Sequence, residues 1–216
     1  MKVAIIGTGN VGTALGSTLL KAGHEVTFAA RDQAKTREVA ARLGANAAAT
    51  AAEAASGADV VVLAVPFVAE ADVAREIAPV TDGKVVIDTS NPLKPDYTGL
   101  ATAPDASGAE LLARALPGSR VVKAFNTLFA GLQADPAAHG GSLDVLIATD
   151  DEVARDAVAM LASSAGFRAI AVGPLAAARE LEAVAWLNIR LQLLNEGRWD
   201  TAVGLVSPPP SAVVEA

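Results

Sequence analysis

The chain's 216 residues suffice for one large domain, or one domain with a short appendage. Hydrophobic residues make up 52% and charged residues 19%, a globular and not a disordered balance. A net charge of -7 argues against a nucleic-acid partner. The absence of cysteine excludes thiol catalysis, disulfides and cysteine-held metal clusters, and two histidines cannot build a histidine-rich metal cage.

The first apolar run stops at Gly7, too early for a signal peptide. No stretch approaches the ~18–20 apolar residues of a membrane helix. The expectation is therefore a cytoplasmic protein without a membrane partner. Residues 2–6 read as a β-branched strand. Val11, Ala14, Leu15, Leu19 and Ala22 give helical spacing over 11–22. Residues 25–29 form a second strand, and 33–43 a second helix stopped by Gly44. Thr50 with Glu53 three residues on is a capping-box pattern. Residues 59–65 are almost uninterruptedly apolar, as in a parallel strand covered on both faces. A helix over 68–79 and strands over 84–88 and 120–124 follow, with a helix after Ser107 capped through Glu110. Residues 143–148, 151–162 and 168–172 add strand, helix and strand.

This alternation predicts an α/β fold of Rossmann type, doubly wound, with a mostly parallel sheet over 1–174. The remainder, 175–216, reads as a C-terminal helical segment (residues 175–196) and an extended tail from Ser207. That helix is apolar on two faces, through Leu181, Val184, Leu187, Leu191 and Leu194, and through Trp186, Ile189 and Leu193. Such a helix wants burial on most sides, so a homodimer packed through it is expected.

Gly7-Thr8-Gly9-Asn10-Val11-Gly12 fits Gly-x-Gly-x-x-Gly between the first strand and first helix, which makes it a dinucleotide-binding loop. Gly7 allows the turn, Gly9 lets backbone approach a pyrophosphate, and Gly12 lets helix and strand pack closely. The second strand ends in Ala29-Ala30-Arg31, not in the acidic residue that binds the ribose of NAD. Arg31 suits a 2′-phosphate, and Lys35 adds charge one turn on. NADP(H) is expected, with Asp32 as the argument for NAD.

Together the loop from Ile6 to Gly12, Gly23-His24-Glu25-Val26 and Arg31 resemble the NADPH-dependent reductases of coenzyme F420. Ala64-Val65-Pro66-Phe67 and the segments Gly173-Pro174-Leu175 and Ala178-Arg179-Glu180-Leu181-Glu182 continue the resemblance. Val122-Lys123-Ala124-Phe125-Asn126-Thr127 resembles a block in the related cytosolic domain of six-transmembrane metalloreductases. The resemblance runs to about Gly197. It implies that Thr8, Gly9, Asn10, Val11, Ala30, Arg31 and Lys35 hold NADP. It also implies that Val65, Pro66, Phe67, Asn91, Pro92, Leu93 and Asn126 to Ala130 line the nicotinamide side. Ala30 departs from the family's serine, and Asn126 from the histidine of some archaeal members.

The implied activity is hydride transfer between NADPH and a small-molecule acceptor, a deazaflavin (coenzyme F420) or a flavin, which needs stacked rings more than acid–base groups. Two other readings stand: a reductase of small carbonyls or imines, and a non-catalytic NADPH-binding module. Asn126 either orients a ring or serves as a turn residue, and Lys123 either holds phosphate or is a strand-edge charge. His24 reads as structural. His139, in a Gly-rich loop, carries at most a proton relay. Trp186 and Trp199 read as core or interface, and Glu180 and Glu182 as a solvated face.

Overall fold

The computed structural model describes residues 1–139 and 143–214. Eight strands form one sheet in the order β3-β2-β1-β4-β5-β6-β7-β8. They are β1 (Lys2–Ile6), β2 (Glu25–Ala29), β3 (Asn46–Ala47), β4 (Val60–Leu63), β5 (Val85–Asp88), β6 (Arg120–Lys123), β7 (Asp144–Ala148) and β8 (Arg168–Gly173). The first six run parallel; β7 meets β6 antiparallel through Lys123 and Ala148, and β8 runs parallel to β7.

The strands show why the sheet is covered on both faces. Val3, Ile5, Val60 and Val62 point into one core with Leu15 and Leu19 of α1 (Asn10–Lys21) and Val39 of α2 (Gln33–Leu43). Ala4, Ile6, Val61 and Leu63 point into the other, beneath α3 (Ala51–Ser56), α4 (Phe67–Ile77) and α5 (Gly108–Ala115). Period-two alternation puts adjacent residues on opposite faces, so an unbroken apolar run serves both layers. Burying each of the Val, Leu and Ile side chains contributes about 1.5–3 kcal/mol. α7 (Glu152–Ser164) packs Val158 and Leu161 into the first core.

Local signals set most helix starts. Asp32 Oδ1 accepts from Lys35 N at 3.0 Å, and Asp151 Oδ1 from Ala154 N at 2.8 Å. Ser107 and Glu110 form the full reciprocal capping box. Thr50 caps Glu53 N, but the Glu53 carboxylate reaches Ala49 N instead of completing the box. The helix expected over 68–79 ends at Ile77 and tightens into a 3-10 turn, Ala78–Val80, where Pro79 has no N–H to donate. The strand expected over 59–65 stops at Leu63, because Ala64 and Val65 turn off against the glycine loop.

The last helix, α8 (Ala178–Leu194), has one face covered within the chain, and that face is more polar than the spacing of leucines suggests. Its buried face carries Leu181, Glu182, Ala185, Asn188, Ile189 and Gln192. Leu187, Leu191, Leu193 and Leu194 are exposed and Trp186 is half-buried. The inner face is polar because the chain returns over it: Asn188 Nδ2 donates to Thr201 O, and Gln192 Nε2 to Thr201 Oγ1. Nor does the tail run free from Ser207. Val214 N donates to Ala169 O at 3.1 Å and Val213 bridges Ile170 of β8. Two short elements had no sequence signal: β3, of two residues, and α6 (Ala130–Ala134). Of the Gly-rich loop expected at 138–141, Ala138 and His139 close a 3-10 turn, Pro136–His139, while residues 140 and 141 and the His139 side chain lie outside the described residues.

Candidate active site

The site begins where the strand order reverses. The loops after β1 and β4 leave adjacent strands in opposite directions, the crevice in which α/β sheets hold ligands. Gly7 has φ +123°, and a β-carbon there would collide with the Ala64 carbonyl. At Gly12 a β-carbon would collide with the Gly7 carbonyl and stand 3.2 Å from the Ala64 β-carbon. Only glycine lets the two loops and the helix start approach this closely. α1 has no side-chain cap and no acidic residue in its first turn, unlike α2, α3, α5 and α7, which side chains cap. Its first N–H groups are therefore available to an anion, favoured by the helix dipole.

One side of the loop opens on a cavity of about 570 Å³ lined by Gly7, Thr8, Gly9, Ala30, Arg31, Lys35, Val65 and Pro66, among others. The carboxylates on its wall have partners of their own. Asp32 caps α2, Asp72 pairs with Arg75 at 3.0 Å, and Glu76 Oε1 accepts from Ala51 N and Ala52 N. Arg31 and Lys35 are exposed and enter no salt bridge among the described residues. Arg31 and Lys35 are thus the charged groups on this wall that no hydrogen bond or ion pair among the described residues engages, which fits a 2′-phosphate. Asp32, the argument for NAD, has one oxygen committed to its helix. Asn10 lies on an adjoining groove with Thr8, Gly9, Lys35 and Ala130.

The other side opens on a cavity of about 260 Å³. Val11, Asn91, Leu93, Asn126, Thr127, Leu128, Phe129 and Ala130 line it. Sequence reasoning missed Thr89, Tyr97, Ala185, Asn188 and Ile189 and had placed Trp199 in core or interface; all of them line this cavity. No local pattern marks them, since three separate segments bring them together. Tyr97 is the single titratable side chain on this wall. Pro92 and Phe67 line neither cavity, and the Phe67 ring lies beside Gly108 at the start of α5.

Asn126 does not bond its own backbone. Its Nδ2 donates to Asn91 Oδ1 at 3.0 Å and to Leu181 O at 3.1 Å, and Asn91 Nδ2 donates to Asn126 O at 3.0 Å. Both partners of Nδ2 are acceptors, so the amide orientation is fixed chemically. Asn126 Oδ1 and Thr127 Oγ1 are buried without a hydrogen-bond partner among the described residues. Buried polar atoms without a partner are costly, and these two belong to residues that line the cavity. Gln133 secures the turn by donating to Phe125 O and Leu128 O at 3.1 and 2.8 Å.

Beneath the strand ends lies a buried charge cluster, which overturns two expectations. Lys123 is neither a phosphate ligand nor an edge charge. It is fully buried, with Nζ 2.9 Å from Asp88 Oδ2, 2.8 Å from Glu182 Oε1 and 2.7 Å from Ser90 O. Glu182 is not on a solvated face; it is fully buried and also accepts from Gly108 N at 2.9 Å, at the start of α5. Burial alone would push the lysine down, but Asp88 and Glu182 outweigh it and keep Lys123 protonated. The third carboxyl, Glu70 on α4, is raised to about 9, by burial first and by the Asp88 charge second, so it carries a proton at neutral pH. Through Glu182, and through Arg179 paired with Glu110 at 2.6 Å, α8 is fastened to the sheet and to α5.

His24 is structural, as expected: Nε2 lies 2.8 Å from Ser164 Oγ, and Nδ1 3.3 Å from the terminal amine. Among the described residues no helix is long and apolar enough to cross a membrane, and no cluster of His, Asp or Glu could hold a metal.

Comparisons with known proteins agree with this geometry. The profile of the family described as NADP oxidoreductase coenzyme F420-dependent matches residues 2–92. The F420-dependent NADP reductase of Methanothermobacter marburgensis is 36% identical over 214 residues, covering 92% of this chain and 95% of its own. Metalloreductase STEAP3 of Rattus norvegicus is 33% identical over 184 residues, covering 85% of this chain and 36% of its own. A solved structure from Arthrobacter sp. FB24, described as a candidate F420-dependent NADP reductase, superposes with a TM-score of 0.86 at 28% identity. It covers 95% of this chain and 100% of its own. The glycine loop, the free cations beside it and the relatives along nearly the whole chain agree: the protein is an NADP-dependent oxidoreductase and belongs to the F420-dependent NADP reductase family.

Proposed function

We propose that this protein passes hydride between NADPH and a flat heteroaromatic acceptor, a deazaflavin such as coenzyme F420 or a flavin. The observation that carries the reading is the pair of cavities flanking the glycine loop. One presents unpaired Arg31 and Lys35; the other is apolar and aromatic with almost no titratable group. NADPH, when bound, would supply the hydride. The residues supply position. The α1 N–H groups hold the pyrophosphate, and Arg31 with Lys35 holds the 2′-phosphate. Asn126 Oδ1 accepts from a carboxamide or ring N–H. Phe125, Phe129 and Ile189 exclude water where the rings meet. Hydride transfer between stacked rings needs this ordering and little acid–base chemistry, which is what the lining offers.

NADPH oxidation followed by absorbance, with oxidised coenzyme F420 and then with flavins, tests the reading. Rapid bleaching with either supports it. Bound NADPH with no turnover on any of them, and turnover in a panel of carbonyls and imines, would replace it with the small-substrate reductase. The exposed leucine stripe Leu187, Leu191 and Leu194 on α8 leads us to propose a homodimer seam there. Light scattering on a sized sample is expected to give twice the chain mass, and a monomer would refute the seam.

A further inference from the structure

Backbone strain recurs on the wall of one cavity. Among the described residues, five other than glycine have positive φ: Tyr97 (54°), Phe125 (64°), Glu196 (50°), Trp199 (57°) and Ser207 (52°). The three aromatic ones all line the 260 Å³ cavity. Bulky side chains avoid left-handed backbone, and where it persists the surroundings over-determine it, often at a ligand clamp. The chain has five Phe, one Tyr and two Trp, and Tyr97, Phe125, Phe129 and Trp199 all face this cavity.

The surroundings of Trp199 are explicit. Its backbone N donates to Gln192 Oε1 at 3.2 Å. Thr201, two residues on, is gripped by Asn188 and Gln192 through contacts of 2.6, 3.1 and 2.7 Å. Ala202 then bridges Leu128. The indole meets the Phe129 ring edge-on, with centroids 5.2 Å apart. Tyr97 is set by a turn in which its N donates to Lys94 O at 3.0 Å and Lys94 N to Gly99 O at 2.9 Å. Yet these two aromatics are not core: Trp199 is 42% and Tyr97 54% exposed. Exposed aromatics on a fixed backbone, on the same cavity as Asn126 and Thr127, whose Oδ1 and Oγ1 have no partner among the described residues, are suited to a flat ring with a polar edge.

We propose that Trp199 and Tyr97 are the two jaws of an aromatic clamp on the acceptor ring, and that Trp199, on the returning C-terminal segment, sets the preference for planar heteroaromatic acceptors. This rests on the hydride-transfer reading above and adds to it the residues that choose the acceptor. It also explains why the inner face of α8 is polar: Asn188 and Gln192 hold the segment that carries the indole.

Trp186 lies off the cavity, so Trp186→Phe leaves Trp199 as the sole tryptophan reporter. In that variant, without NADPH, titration with FMN and separately with oxidised coenzyme F420 should quench the indole emission saturably for at least one. The reverse variant, Trp199→Phe, should show a much smaller quench, from the more distant Trp186 alone. In steady-state assays Trp199→Ala should raise the acceptor KM tenfold or more, Trp199→Phe should restore most of it, and both should keep the NADPH Kd of the parent by calorimetry. Quenching without NADPH oxidation supports the clamp and rejects the hydride reading. Oxidation without quenching rejects the clamp and keeps the reaction. An acceptor KM within twofold of the parent in Trp199→Ala, or a loss of NADPH affinity larger than the loss for the acceptor, overturns the proposal. If Trp199→Ala does not fold, the quench in Trp186→Phe still decides.

Discussion

Residues 7–12 and residues 124–130 both follow buried parallel strands and both open on the same sheet edge, but they are held by different means. The first loop is mostly backbone. Its glycines allow close approach, its helix start is left uncapped, and the N–H groups it offers come from consecutive residues. The second depends on partners far along the chain: Asn91 at 35 residues, Leu181 at 55, and beneath it Lys123 and Glu182 at 59. A phosphate grip can be written in six adjacent residues because an anion needs only N–H groups and a dipole. A ring pocket needs walls, and walls come from separate elements that must themselves be fixed. The buried charge cluster does that fixing.

Breaking the cluster is the harshest test of the contrast. Lys123→Met leaves the Asp88 and Glu182 carboxylates buried without a cation, and is expected to cost about 3–5 kcal/mol of stability in urea unfolding. Adding Asp88→Asn and Glu182→Gln should recover part of the loss. A Lys123→Met protein as stable as the parent would mean that the cluster does not fasten α8.

Glu70 sharpens the same comparison through pH. Its pKa is about 9 in the folded protein and near the ordinary 4.5 unfolded. Between these values the unfolded chain releases a proton that the native state keeps, so stability falls as pH rises. Glu70→Gln mimics the protonated form. It should match the parent near pH 4 and become the more stable by a growing margin toward pH 9. Unfolding midpoints across that range check it, and parallel curves for the two proteins would contradict a protonated Glu70.

The smallest expected effect falls on the phosphate side. Arg31→Ala removes a charge-assisted contact of about 1.5–3 kcal/mol, or roughly 10–100-fold in NADPH Kd. The NADH Kd should stay put, and the fold should too, because Arg31 is exposed. Equal weakening of both cofactors would sink the 2′-phosphate assignment.

Much of the fold was legible because its signals are local. The β1 and β4 runs, the caps at Thr50 and Ser107, and Gly44 in left-handed backbone after α2 each declare themselves within a few residues. The glycine loop and Arg31 declare a dinucleotide site in the same way. Glu182 did not, since on α8 it has the spacing of a solvated pair with Glu180, and only the placement of α8 against β6 turns it inward. Trp199 did not either, because nothing near it in sequence says that the chain returns over α8.

The sequence by itself determined the chain order of the longer strands and helices, the glycine turn and the cations beside it. Each is set by backbone sterics, side-chain period or capping within a single segment. The tertiary structure alone decided which buried charges meet, which face of α8 is covered and which aromatics surround the ring cavity. Those outcomes depend on how rigid elements dock, where desolvation and pairing are settled between residues tens of positions apart.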